Sequence, residues 1–325
     1  MRAKYLGLDL PSPIIVSSSP PPSKVRSAEQ CAASGAGAVV LKSIFEEQIL
    51  HHAAALDTVS DSAYGDAEVY LQRYLGEDYK AGFLRLVQEA RSKTELPVIA
   101  SINCYSDSEW TDFARLMEEA GADALELNIL SLQTSKDYTP GSFEQRHIDI
   151  LRHIKKVVRI PVIMKLGSNL TNPVALVNQL YANGAAAVVL FNRFYQPDIQ
   201  IDNLTFTTAN VMSSPSELSD RIRWTAIASA EVPQLDYAVS GGVHNGKGVI
   251  KSLLSGAAAV EVCSVIYQHG NQIIEEMKKE LTEWMDDKGY DSITQFKGKM
   301  NASAAGDINP FERTQFMKYY SNHEE

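Results

Sequence analysis

The sequence predicts an α/β protein built as a (β/α)8 barrel, with insertions in the βα loops after the second and sixth strands and a C-terminal helical tail. Two observations carry this. A Gly-Ala-x-Ala step runs into an apolar segment four times, at Gly35-Ala36-Gly37-Ala38, Gly121-Ala122-Asp123-Ala124, Gly184-Ala185-Ala186-Ala187 and Gly256-Ala257-Ala258-Ala259. Glycine closes a helix by taking the left-handed position after its last turn, and the small residues let the helix lie close on a sheet. The segments that follow, VVLKS, LELNI, VVLFN and VEVCS, are apolar at nearly every position, as parallel strands covered on both faces should be. Eight such strands alternate with eight helices, the count of a closed barrel rather than of an open doubly wound sheet.

In chain order, the first strand is Pro13–Ser18, and the second is the VVLKS run from Val39 to Ser43. The third and fifth, Pro97–Asn103 and Pro161–Gly167, each open on a proline, whose missing N–H is tolerated at a strand start. The fourth, sixth and eighth end on Ile129, Asn192 and Ser264, and the seventh is Asp236–Gly242. Helices are expected at 23–34, 78–94, 107–120, 143–159, 172–183, 216–230, 245–255 and 265–288, with capping residues such as Ser106-Asp107-Ser108-Glu109 and Ser216-Glu217 at their starts.

With 325 residues the chain exceeds a minimal barrel, and the surplus falls in Ile44–Tyr79, Phe194–Ser213 and a tail from about Gly289. One domain, 1–325, is expected, with 289–325 as an extension packed on it. A net charge of −10 with no basic block argues against nucleic acid or an anionic membrane as the main partner. No charged-then-apolar leader and no apolar run approaching 18 residues is found, so a cytoplasmic protein is expected. Three scattered cysteines, Cys31, Cys104 and Cys263, suit neither a disulfide framework nor a zinc site.

In a barrel the C-terminal ends of the strands carry the chemistry. They hold Ser17 and Ser18, Lys42 and Ser43, Asn103 and Cys104, Asn128, Lys165, Asn192, Gly241 and Gly242, and Cys263 with Ser264. Buried polar groups cost free energy unless matched, so lysines and amides converging at the ends of apolar strands imply a polar ligand. Gly241-Gly242-Val243-His244-Asn245-Gly246 joins the seventh strand to the next helix, where backbone amides can approach a phosphate and Ser264 can add a hydroxyl.

The phrases Glu126-Leu127-Asn128-Ile129, Lys165 at the end of its strand, Leu190-Phe191-Asn192, Gly241-Gly242-Val243 and Ser12-Pro13-Ile14-Ile15-Val16-Ser17-Ser18 resemble, in order, those of the dihydroorotate dehydrogenases, which are FMN-containing barrels. The resemblance spans about residues 5–275 and is closest to a divergent branch sharing the Asn192–Asp198 stretch and the tail around Pro310-Phe311-Glu312-Arg313. It implies that Ser17, Ser18 and Ser43 line the flavin ring, with Lys42 at its edge and Lys165 by the side that becomes anionic on reduction. It further implies FMN phosphate at Gly241, Gly242 and Ser264, Asn128 and Asn192 bridging flavin and substrate, and Lys42 and Gln133 with them on the substrate side.

The family's Asn-x-Ser-Cys-Pro-Asn loop reads Asn128-Ile129-Leu130-Ser131-Leu132-Gln133 here, which puts Ser131 on the base position but removes the proline and second asparagine. The asparagine-bearing segment after the second strand has no counterpart in Asp57–Tyr70, Arg193 replaces a small hydroxyl residue, and Cys263 replaces glycine. The flavin site reads as kept and the substrate site as rewritten.

The implied activity is oxidation of dihydroorotate, or a related small planar acid, by hydride transfer to flavin with Ser131 as base. A soluble acceptor, fumarate or an electron-transfer protein, is the implied partner. Two alternatives are an FMN-binding protein without that activity and a flavin-free lyase or isomerase using Lys165 as nucleophile. His51-His52 lacks the acidic partners of a metal site, Cys104 is either a reactive thiol or a core residue, and the tail with Tyr319 and Tyr320 packs under the barrel or at a homodimer contact.

Overall fold

The computed structural model describes residues 2–18, 25–46, 66–106, 110–194, 196–304 and 311. Among these residues thirteen strands are numbered in chain order. An antiparallel pair, β1 (Ala3–Tyr5) and β2 (Leu8–Leu10), precedes the barrel. The barrel strands are β3 (Ile14–Val16), β4 (Ala38–Val40), β6 (Val98–Cys104), β7 (Ala124–Ile129), β8 (Val162–Gly167), β9 (Ala187–Asn192), β12 (Asp236–Ser240) and β13 (Ala259–Val262). Every neighbouring pair is parallel, and pairing of β4 with β6 closes the ring. The fold is therefore the (β/α)8 barrel that the sequence predicts. β5 (Ile44–Phe45) adds a short pairing to β6, and β10 (Pro197–Gln200) with β11 (Thr205–Thr208) forms a hairpin outside the ring.

The helices are α1 (Val25–Ala33), α2 (Asp66–Lys93), α3 (Thr111–Glu119), α4 (Ser142–Val157), α5 (Pro173–Ala182), α6 (Leu218–Glu231), α7 (Gly246–Leu254), α8 (Ser264–His269) and α9 (Gln272–Lys288). The four Gly-Ala joints share one set of bonds. Gly35, Gly121, Gly184 and Gly256 all have φ between 80° and 115°. Each donates to the carbonyl three residues back, and the following alanine donates to the one five back, as in Ala36 to Cys31 and Ala257 to Ser252. This is the Schellman closure, and it delivers the chain into β4, β7, β9 and β13 in the same way each time.

Several expectations are corrected. The span 44–79 is not simply a loop, because α2 begins at Asp66 and runs 28 residues. The helix expected at 265–288 is two, broken at Gly270, whose φ is +77°. Lys42 and Ser43 lie past the end of β4 rather than inside it. The β1–β2 hairpin was not anticipated. Its Leu6 N–H donates to Asp236 Oδ2 at 2.8 Å, tying it to the start of β12. In the tail, the described part holds only a 3-10 turn, Ile293–Gln295. His51-His52, residues 57–65, Pro310, Glu312, Arg313, Tyr319 and Tyr320 lie outside the described residues. No helix among the described residues is long and apolar enough to cross a membrane.

Candidate functional site

A cavity of about 120 Å³ opens at the C-terminal ends of β3, β8, β9, β12 and β13. Ser17, Ser18, Lys165, Asn192, Gly241, Gly242 and Ser264 all line it. Parallel strands in register explain the convergence, since Asn128 pairs with Lys165 in the β7–β8 ladder and Ser240 with Glu261 in the β12–β13 ladder. Asn128 and Asn192 also meet: the Asn192 side-chain amide donates to Asn128 Oδ1 at 2.7 Å.

Beneath the cavity lies a charged cluster inside the barrel. Lys165 Nζ is 2.6 Å from Glu261 Oε2, 3.0 Å from Ser17 Oγ and 3.6 Å from Glu126 Oε1, and Ser17 Oγ donates to Glu261 Oε2 at 2.9 Å. Lys165, Glu126 and Glu261 are 4%, 0% and 2% exposed. A second set of hydroxyls reaches the same cluster, Ser18 to Ser43 at 2.9 Å, Ser43 to Ser101 at 2.8 Å, and Ser101 to Glu126 Oε1 at 3.0 Å.

The charges follow from this geometry. Burial pushes Glu126 up and the neighbouring Glu261 pushes it further, with Lys165 opposing; the result is about 8. Burial also acts to raise Glu261, but Lys165 and the hydrogen bonds from its neighbours outweigh burial and hold it low. Burial alone would lower the Lys165 ammonium, and the two glutamates raise it by more. The geometry therefore favours a Lys165–Glu261 ion pair, beside a Glu126 whose carboxyl holds its proton to higher pH than usual.

Sequence reasoning placed Glu126 and Glu261 within apolar strands without weighing them. The signal was available, because Leu-Glu-Leu and Val-Glu-Val put a charge inside strands covered on both faces, where it has to be paired.

Arg193 holds the loop after β9. Its guanidinium donates to the carbonyls of Asn210 at 2.6 Å and Val211 at 2.7 Å and pairs with Glu217 at 3.2 Å. That loop is fastened again where the Ser213 N–H donates to Ser264 Oγ at 2.9 Å and Ser213 Oγ meets His244 Nε2 at 3.1 Å. Arg193 is therefore a clasp over the cavity.

The two glycines carry different constraints. Both have positive φ, +92° at Gly241 and +80° at Gly242. A Cβ on Gly242 would come 2.5 Å from the Leu218 backbone nitrogen, so close packing against α6 already requires glycine there. The helix they lead into, α7, is capped by its own Asn245, which accepts from Gly248 N at 2.9 Å. The helix start that lines the cavity is Ser264, at the head of α8.

Other predicted residues stand apart from the cavity. Lys42 is exposed, and Ser43 is buried with its hydroxyl turned to Ser18 and Ser101. Ser131 and Gln133 sit in the loop after β7 and bond each other, Gln133 Nε2 donating to Ser131 Oγ at 3.2 Å. Asn169 steadies this loop by donating to the Ser131 carbonyl at 2.9 Å. Cys104 is fully buried, and burial followed by the Glu46 charge pushes its thiol well up, which keeps it an unreactive core residue.

Comparison with known proteins matches this frame. The sequence profile described as dihydroorotate dehydrogenase matches residues 1–285. The catalytic subunit of dihydroorotate dehydrogenase B (NAD(+)) from Thermoplasma volcanium is 29% identical over 301 residues, 90% of this chain and 95% of that protein. Its counterpart from Methanocella arvoryzae is 30% identical over 270 residues, 81% of this chain and 85% of that protein. The NAD-dependent dihydropyrimidine dehydrogenase subunit PreA of Escherichia coli K12 is 26% identical over 318 residues, 91% of this chain and 76% of that protein. These relatives are dehydrogenases at the divergence expected of a distant branch. With a matching profile over most of its length and a closed parallel barrel beneath it, this chain belongs to the dihydroorotate dehydrogenase family.

Proposed function

We propose that the protein is an FMN-dependent oxidoreductase acting on the CH–CH bond of dihydroorotate or a related dihydropyrimidine, and that it passes the electrons to a separate electron-transfer protein. The observation that carries this reading is the Lys165 ammonium, held by Glu261 at 2.6 Å on the floor of a cavity otherwise rich in donors. Hydroxyls of Ser17, Ser18 and Ser264, the Asn192 amide, and the Gly241-Gly242 backbone line it, and its carboxylate, Glu261, is already paired. Such a donor set fits a phosphate and an electron-rich ring edge. About 120 Å³ accommodates only part of a flavin nucleotide, so this cavity accounts for the portion beside β9, β12 and β13.

When bound, FMN supplies the hydride acceptor. The chain supplies the rest. Lys165 holds positive charge where negative charge develops, preorganised by Glu261 so that no rearrangement is needed during reaction. Asn128 and Asn192, locked to each other, present amide groups to the substrate side. Gly241, Gly242 and Ser264 hold phosphate; the Ser264 oxygen accepts from the Ser213 N–H, and among the described residues its proton remains available to a phosphate oxygen. Ser131 is the candidate base by its register in the family's loop motif, although it stands apart from this cavity. Its bonded partner among the described residues is the Gln133 amide, which does not accept a proton at neutral pH. Relatives named as catalytic subunit and as subunit PreA support a partner protein as acceptor over fumarate.

The flavin-free alternative needs Lys165 as a neutral nucleophile, and its two carboxyl neighbours hold it protonated. The test is anaerobic mixing of the purified protein with dihydroorotate, dihydrouracil and dihydrothymine while flavin absorbance is followed. Bleaching by one of them identifies the substrate class. A colourless protein that takes up no FMN overturns the reading.

A further inference from the structure

The Glu126–Glu261 pair is more than a counterion for Lys165. Two carboxyl groups face one ammonium inside the barrel, and Glu126 Oε2 is buried without a hydrogen-bond partner in its ionised form. A proton on Oε2, donated to Glu261, satisfies that atom and leaves the cluster neutral.

Other titratable groups face the cluster. Cys263 faces Lys165, while Tyr5 faces the pair from β1 with Asp236 beyond it. Tyr5 is buried, its hydroxyl is unpartnered, and burial followed by Glu261, Glu126 and Asp236 pushes it well up, so it stays neutral. Each carboxyl is also reached by hydroxyls from the end of β3: Ser17 bonds Glu261 directly, and Ser18 reaches Glu126 through Ser43 and Ser101. Ser17 and Ser18 both line the cavity, and Glu261, 2% exposed, meets its floor.

We propose that Glu126 and Glu261 hold one proton between them as a proton store under the cavity, exchanging with it along two hydroxyl routes, Ser17 to Glu261 and Ser18-Ser43-Ser101 to Glu126. In exchange along the longer route, a proton arrives on Ser18 Oγ, each serine passes its own hydroxyl proton onward, and Glu126 Oε1 receives one. Glu126 then releases the Oε2 proton to Glu261, Glu261 passes one to Ser17 Oγ, and Ser17 turns and releases its own hydroxyl proton to the cavity. Only O–H bonds form and break, and nothing is oxidised. On the reading of the cavity as a redox site, the store exchanges protons as substrate is oxidised above it.

The experiment needs no flavin, so its outcome is separate from that reading. Infrared difference spectra of the purified protein with isotope-labelled glutamate are recorded near neutral pH. A protonated carboxyl band is expected in the parent and is expected to vanish in Glu126→Gln. It is expected to vanish also in Glu261→Gln, where Glu126 alone ionises opposite Lys165. On transfer to heavy water, the band in a Ser17→Ala/Ser43→Ala double variant should shift about tenfold or more slowly than in the parent, because exchange then waits on local opening. Absence of the band in the parent, or its survival in both glutamine variants, overturns the shared proton. Equal exchange in the double variant overturns the hydroxyl routes.

Discussion

Lys165 Nζ and Glu261 Oε2 lie 2.6 Å apart in a barrel interior that hides both from solvent. Removing one member of such a pair leaves a charge with nothing to balance it. Lys165→Met is therefore expected to lower unfolding free energy by about 3–5 kcal/mol in urea denaturation. Lys165→Met with Glu261→Gln should recover part of that loss, and a non-additive double-mutant cycle checks the coupling.

Stability should depend on pH through Glu126. Its folded carboxyl keeps its proton up to about 8, whereas in the unfolded chain it loses it near the ordinary value of 4.5. The folded state binds more protons across that interval, so stability is full below it and falls as pH rises through it. Urea midpoints measured across this interval should decline in the parent more steeply than in Glu126→Gln.

Gly242 is the wrong position at which to probe phosphate binding. A valine there meets the Leu218 backbone at a left-handed φ, and unfolding at lower denaturant is the expected result. Ser264→Ala keeps the backbone and costs about 1 kcal/mol through the lost Ser213 contact. It should release FMN more readily on dialysis while circular dichroism stays unchanged.

Ser131→Ala should slow flavin reduction by about two to four orders of magnitude in stopped-flow measurements, the usual contribution of a positioned base. Ser131→Cys should restore part of the rate and move the optimum to lower pH, because a thiol titrates nearer neutrality than an alcohol. Equal rates in parent and alanine variant would remove the base role.

Arg193→Ala should loosen the segment it clasps. Hydrogen exchange at residues 210–213 is expected to accelerate, while exchange in the barrel strands stays at the parent level.

The barrel was legible because its joints are written in local chemistry, a glycine at each left-handed helix end and apolar runs behind it. The hairpins were not. β1 and β2 do alternate but are only three residues each, too short for a period to be read, and β10 and β11, PDIQ and TFTT, expose every side chain and so lack the alternation that burial imposes. At the site, Lys165, Ser17 and Asn192 were found as polar residues at strand ends. Glu126 and Glu261 were passed over because they sit one turn of the pleat deeper, where position in the strand reads as core. The role of Arg193 depends on carbonyls 17 and 18 residues away, a relation set by how the loop folds back and not by spacing.

The four identical glycine closures make the molecule its own set of replicates. An alanine at each meets a left-handed backbone, and at three of them the neighbours differ: Arg91 Cγ at 3.6 Å from Gly121, Lys155 Cε at 3.5 Å from Gly184, and the Ser229 hydroxyl against Gly256. The first two neighbours are flexible stems that can swing aside, whereas Ser229 is buried and bonded to the Ser255 carbonyl. Differences among the substitutions therefore report chiefly what crowding costs at a helix-to-strand junction, with the same closure compared within a single chain.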